Sequence, residues 1–139
     1  MKDVSKCIGD IGRSGSTIFS TINLTAGFWQ MILHPRAHPY TAFTVPGMGL
    51  FQWVTSPVGL LGCPASFQHL METVVHNISN VIVYIDDLLV HSASHDKHLA
   101  TLSEVLKRLV THNIKINLQK CVFGSKEFSY LGFASLKRV

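Results

Sequence analysis

The stretch Val81-Ile82-Val83-Tyr84-Ile85-Asp86-Asp87-Leu88-Leu89-Val90-His91 decides how this chain folds. Two apolar runs, Val81 to Ile85 and Leu88 to His91, flank a pair of adjacent carboxylates. Two carboxylates this close repel each other and prefer water. In a regular strand they would point to opposite faces, whereas a turn lets both face one side. The pattern therefore predicts a tight hairpin with Asp86 and Asp87 at its tip. A hard cation such as Mg²⁺ would neutralise the pair, because it binds one or two carboxylates together with phosphate and water. An ordinary polar turn is the bland alternative, since Asp is common in turns. A phosphoacceptor pocket would require single strands alternating with helices, a pattern this chain lacks.

Outward from the hairpin, the spacing predicts a helix on each side. Upstream, Pro64 suits a first helical position. Phe67, Leu70, Met71, Val74 and Val75 follow on one face, with Gln68, His69, Glu72 and His76 elsewhere. Downstream, Ser94 is an N-cap and Asp96 lies in the first turn. Leu99, Leu102, Val105, Leu106, Leu109 and Val110 are the expected buried face, and Asn113 the stop. Residues 17–23 read as a strand. Tyr40 to Val45 and Leu50 to Thr55 read as a strand pair joined by Pro46-Gly47-Met48-Gly49. Short strands are expected around 115–117, 121–123 and 128–133. Met1 to Ser16 read as a loose start or a helix out of context. Helices follow hairpins rather than single strands, which predicts an α+β fold with an antiparallel sheet and helices packed on one face.

Composition sets outer limits. The 139 residues fit one domain, 47% are hydrophobic, and the net charge is +4. That charge permits a nucleic-acid partner without requiring one. Cys7, Cys63 and Cys121 are too few and too scattered for a zinc site or a disulfide framework, and read as free thiols of a reducing compartment. No apolar leader is visible and no run is long enough for a membrane span. An intracellular protein, cytoplasmic or nuclear, is expected. His91, His95 and His98 read as a solvated helix entrance, with partial metal binding as the alternative.

Several separate stretches together resemble the reverse transcriptase family. Tyr84-Ile85-Asp86-Asp87 is similar to its Tyr-X-Asp-Asp signature. Phe19-Ser20-Thr21-Ile22-Asn23-Leu24 and Gly27-Phe28-Trp29-Gln30 resemble its first palm motif. Pro57-Val58-Gly59-Leu60 and Pro64-Ala65-Ser66-Phe67-Gln68 resemble the second, and Tyr130-Leu131-Gly132-Phe133 the primer-grip hairpin, preceded by Lys120-Cys121-Val122-Phe123-Gly124. The motifs are in family order over roughly residues 8–134. The wording is closest to gypsy-type long-terminal-repeat retrotransposons, whose enzymes lie within a pol polyprotein.

The resemblance implies a ferredoxin-like polymerase palm over 17–134 that includes a partial fingers hairpin (about 38–56). A residual fingers-side segment (1–16) would precede it and a tail (135–139) follow. It implies an RNA-directed DNA polymerase that extends a primer on an RNA or DNA template from deoxynucleoside triphosphates, using two Mg²⁺ (or Mn²⁺) ions. Asp86 would be a direct metal ligand and Asp87 a supporting one. Phe28 would exclude a ribose 2′-hydroxyl, or else be a core aromatic. Leu24 and Gln68 would lie on the nucleotide side. Pro57, Gly59, Tyr84, Leu131 and Gly132 would meet template and primer. Lys120 would protonate pyrophosphate, or else be a surface lysine.

Two departures qualify that expectation. The family's first motif carries an aspartate where this chain has Asn23. Asn keeps an oxygen but loses the charge, and its NH₂ group repels a cation. The chain also begins close to that motif, with fingers, thumb and RNase H parts missing, so it reads as a fragment of a polyprotein. A weak or inactive polymerase follows. A non-enzymatic, domesticated remnant that binds nucleic acid or protein is the alternative.

Overall fold

The computed structural model describes residues 4–25, 30–57, 60, 62–130 and 133–134. Its centre is a four-stranded antiparallel sheet in the order β4-β5-β1-β6, made of Val81–Tyr84, Asp87–Ser92, Ile18–Asn23 and Val122–Ser125. The hairpin expected at Asp86-Asp87 is present, with Val81 opposite Val90 and Tyr84 opposite Asp87. The turn itself is Ile85-Asp86, and Asp87 is already the first residue of β5.

Residues directly opposite each other in an antiparallel pair share a face. The pairs Ser20–Val90, Ile22–Leu88, Val81–Val90 and Val83–Leu88 therefore lie on one side of the sheet. The pairs Phe19–His91, Thr21–Leu89, Asn23–Asp87, Ile82–Leu89 and Tyr84–Asp87 lie on the other. The first side is the apolar one. It packs on helices α2 (Cys63–Val74) and α3 (His95–Thr111) around Phe67, Met71, Val74, Val105 and Leu109, all nearly sealed from solvent. This is the expected α+β arrangement. The opposite side is covered in part by α1 (Val4–Arg13), which presents Ile11, and by Phe128, tilted against Phe19 at 4.7 Å between ring centres.

The expected buried stripe of α3 is rotated. Leu99 is 51% exposed and Val110 79%, while His98 is 2% exposed. The sealed positions are His98, Val105 and Leu109, with Leu102 partly buried between them, which is also helical spacing. His98 is satisfied there, because its Nε2 meets Ser20 Oγ at 2.6 Å and its Nδ1 meets Ser92 Oγ at 3.2 Å. Those contacts join α3 to β1 and β5. His91, on the other face, meets Ser16 Oγ through Nδ1 at 2.7 Å. The two histidines thus sit on opposite sides of the sheet, and His91 and His98 are not the solvated entrance that their spacing predicted.

Capping follows the sequence closely. Ser94 accepts from Lys97 N at the start of α3. Asn113 takes φ 54, Ile114 N donates to Leu109 O, and Asn113 N to Val110 O. That is the double bond pattern of a left-handed C-terminal cap. Arg108 of α3 caps its neighbour, donating from Nη1 to Val74 O at 3.0 Å and His76 O at 3.1 Å.

The expected strand pair at 40–55 is shorter than its sequence suggests. Pro35–Thr41 form a 3₁₀ turn containing Pro35 and Pro39, so Tyr40 and Thr41 are not extended. Strands β2 (Phe43–Val45) and β3 (Gly49–Phe51) pair antiparallel. Pairing stops there because Trp53 N donates to Thr41 Oγ1 instead. Downstream, Ile116 forms only a single bridge to Leu24, and β7 (Ser129–Tyr130) and β8 (Phe133–Ala134) form a separate two-stranded unit.

Candidate active site

Strand β1 ends at Asn23 where β5 begins at Asp87, and the two residues are cross-strand partners. Asn23 Nδ2 donates to Asp87 Oδ1 at 2.7 Å. The backbone closes the same corner, since Leu24 N donates to Asp86 O at 2.8 Å. A third chain segment arrives from the far side of β1, with Cys121 Sγ accepting from Asn23 N at 3.4 Å and donating to Asn117 O at 3.2 Å. Asn23 O in turn accepts from Asn117 N at 2.8 Å. The Asn23–Asp87 corner is therefore fixed by main chain on both sides.

The turn that carries Asp86 is not relaxed. Ile85 has φ 53, in the left-handed region that a β-branched residue avoids. Such a conformation costs on the order of 1–3 kcal/mol and persists only where surroundings enforce it. Gln68 supplies part of that enforcement. Its Oε1 accepts from Ile85 N at 2.6 Å and its Nε2 donates to Val83 O at 2.9 Å.

A profile of the family described as reverse transcriptase (RNA-dependent DNA polymerase) matches residues 7–135. The chain belongs to that family. It is 34% identical over 120 residues to the enzymatic polyprotein of Cestrum yellow leaf curling virus, covering 85% of this chain and 19% of that protein. It is 32% identical over 132 residues to the retrovirus-related Pol polyprotein from transposon 297 of Drosophila melanogaster, covering 94% and 12%. Among solved structures, the foamy viral protease–reverse transcriptase in complex with RNA/DNA hybrid superposes with a TM-score of 0.81. It is 30% identical, with 89% of this chain and 17% of that one covered. A foamy viral structure with double-stranded DNA gives a TM-score of 0.81, 31% identity, and 85% and 22% coverage. The chain thus spans less than a fifth of the length of these two curated relatives.

Of the residues singled out in the sequence, the structure brings Asn23, Tyr84 and Asp87 onto one face of the sheet, with Asp86 in the adjoining turn. Lys120 is exposed at the end of the 3₁₀ turn Leu118–Lys120, one residue from the thiol that touches Asn23. Pro57 is partly buried, beyond the bridge that joins Thr55 to Ile32. Phe28, Gly59, Leu131 and Gly132 lie outside the described residues.

Two of these residues are buried. The side chain of Leu24 is 2% exposed and belongs to the main core. Gln68 is 4% exposed and bonds to the hairpin backbone from the α2 side, rather than lying away from the buried face of its helix. Spacing could have revealed this, because Gln68 falls three residues before Met71 and seven before Val75 on the buried stripe. The Cys121 contact left no sequence signal, since the two residues are 98 positions apart.

A divalent-ion fit can be judged on the donor set. Asp86 and Asp87 offer two carboxylates, which suits Mg²⁺. The residue facing Asp87 is an amide whose N–H already occupies Asp87 Oδ1. Among the described residues no group of three or more His, Cys, Asp or Glu is placed to hold a metal ion. The described residues do not complete a two-ion site. Nor, among the described residues, is any helix long and apolar enough to cross a membrane.

Proposed function

We propose that this chain is the palm of an RNA-directed DNA polymerase from a gypsy-type long-terminal-repeat retroelement, with nucleotidyl transfer impaired at Asn23. The single observation that carries this reading is the 2.7 Å bond from Asn23 Nδ2 to Asp87 Oδ1. It supports a corner that has exchanged a carboxylate for a neutral donor. The donor stabilises Asp87 where a cation would otherwise be needed. Primer–template and deoxynucleoside triphosphates are the substrates of the ancestral reaction. Support for the nucleic-acid partner comes from the family and from foamy viral relatives held with double-stranded DNA and RNA/DNA hybrid.

The same observation favours a second reading, in which the domain is retained without catalysis and binds nucleic acid through its palm face. Such binding would weaken steeply with salt, because phosphate contacts release counterions.

Both readings are separated by one substitution. Asn23→Asp in a full-length polyprotein enzyme carrying this palm should raise Mg²⁺-dependent primer extension by at least about a hundredfold, the scale of several kcal/mol of metal-assisted stabilisation. Extension by the unsubstituted enzyme at a rate equal to Asn23→Asp would sink the impairment. Salt-sensitive duplex binding without extension in either form would favour the second reading.

A further inference from the structure

The turn at Ile85-Asp86 requires an explanation that the hairpin alone does not supply. Tight hairpins that need positive φ favour Asn, Asp or Gly, yet here the residue is Ile85 at φ 53. Something outside the hairpin must hold it. Asp86 is tied to β1 through Leu24 N, which fixes the far side of the turn. The near side, Val83 to Ile85, is held from below by a single side chain of α2.

That side chain is Gln68. Its donors reach Val83 O at 2.9 Å and Glu72 Oε1 at 3.0 Å, and its oxygen receives Ile85 N at 2.6 Å. A carboxamide offers two donors and two acceptor sites, so three of its four bonds are made here. The orientation is not arbitrary. Val83 C=O can only accept and Ile85 N–H can only donate, so the amide fits one way round. Glu72 engages the second donor, which fixes the amide further. Gln68 thus brackets Tyr84, bonding the residues before and after it. These backbone groups are where a strand's pairing ends, and Gln68 satisfies them with a geometry that a hydrophobic residue could not reproduce.

We propose that Gln68 is a positioning residue for the Asp86-Asp87 turn. It clamps the backbone on both sides of Tyr84 from beneath the sheet and so sets the left-handed conformation of Ile85, without touching substrate. The clamp holds whether or not the chain is active. Its consequence for catalysis rests on the polymerase reading above.

The test reads the turn first and activity second. In the unsubstituted domain, NMR should find the Ile85 amide and the Gln68 side-chain NH₂ protons protected from exchange. In Gln68→Met, Ile85 exchange should rise about tenfold or more, the loss expected for one hydrogen bond, while Met71 and Leu88 amides keep their rates. A residue that merely fills the core would instead raise all these rates together, and that outcome overturns the clamp. If Gln68→Met does not fold, the unsubstituted protein decides: Gln68 NH₂ protons exchanging as fast as those of a free glutamine overturn it equally. Gln68→Glu keeps the shape but sets a carboxylate against Val83 O and Glu72, and should also release Ile85. For the second arm, Gln68→Met in an Asn23→Asp full-length enzyme should lower kcat about tenfold with primer–template affinity unchanged. An inactive Asn23→Asp enzyme would count against the polymerase reading and leave the exchange result standing. An active one indifferent to Gln68→Met would overturn the positioning role.

Discussion

Asn23 and Asp87 face each other across β1 and β5, and the amide of one donates to the carboxylate of the other at 2.7 Å. The contact is partly buried, which strengthens it relative to an exposed pair. It joins two strands at the end of the sheet where the β4–β5 turn begins. A carboxylate at position 23 would reverse the sign of that contact, from attraction to repulsion between like charges directly opposite.

The first prediction follows from that reversal. Without divalent ions, Asn23→Asp should melt at a lower temperature than the unsubstituted domain, through loss of a charged hydrogen bond worth about 1.5–3 kcal/mol. Adding millimolar Mg²⁺ should restore much of the loss, since a ligand that binds only the folded state stabilises it by mass action. The unsubstituted domain should melt at the same temperature with Mg²⁺ or EDTA. Thermal melts of both proteins in both buffers check this. An equal Mg²⁺ response in the two would mean that Asn23 does not govern the site.

How far the sequence reached can be judged at particular residues. The Asp86-Asp87 hairpin, the cap at Ser94 and the stop at Asn113 were legible because each depends on local chemistry: carboxylate repulsion, a side-chain acceptor, a tolerated left-handed residue. The cross-strand position of Asn23 was legible only through family motifs. Gln68 was set off the buried face and His98 at a solvated helix entrance because both are polar. Both are buried with their hydrogen bonds satisfied, and burial of a polar group depends on partners that lie far away in sequence. Tyr40 was misplaced because a pair of prolines, Pro35 and Pro39, tightened the chain into a 3₁₀ turn ahead of the strand.

The rotation of α3 gives a second prediction. Leu109 is 2% exposed and its neighbour Val110 is 79% exposed. Leu109→Ala should cost about 2–5 kcal/mol, as removal of buried methylenes leaves a cavity. Val110→Ala should stay within about 0.5 kcal/mol, as expected for surface changes. Urea denaturation of the two variants measures both. Comparable losses would place Val110 in the core, as its spacing first suggested, and would contradict the observed rotation.

The third prediction concerns acid. His91 is held below the ordinary imidazole value of 6.5 by burial first and by nearby His98 second. His98 is lowered by burial first and by His95 second. Each ring therefore binds its proton more weakly in the folded chain than in the unfolded one. As pH falls, the unfolded chain takes up protons first, so the unfolded state gains. The stability these residues contribute is complete above about 6.5 and is lost as pH falls through the lower folded values. Ser16, Ser20 and Ser92 supply the facing hydroxyls, and none offers a negative charge to hold an imidazolium. Urea midpoints should accordingly fall between about pH 7 and pH 5. In a His91→Gln, His98→Gln double variant the overall midpoint should drop, and its slope across that range should flatten. An undiminished slope in the double variant would assign the acid sensitivity to other groups.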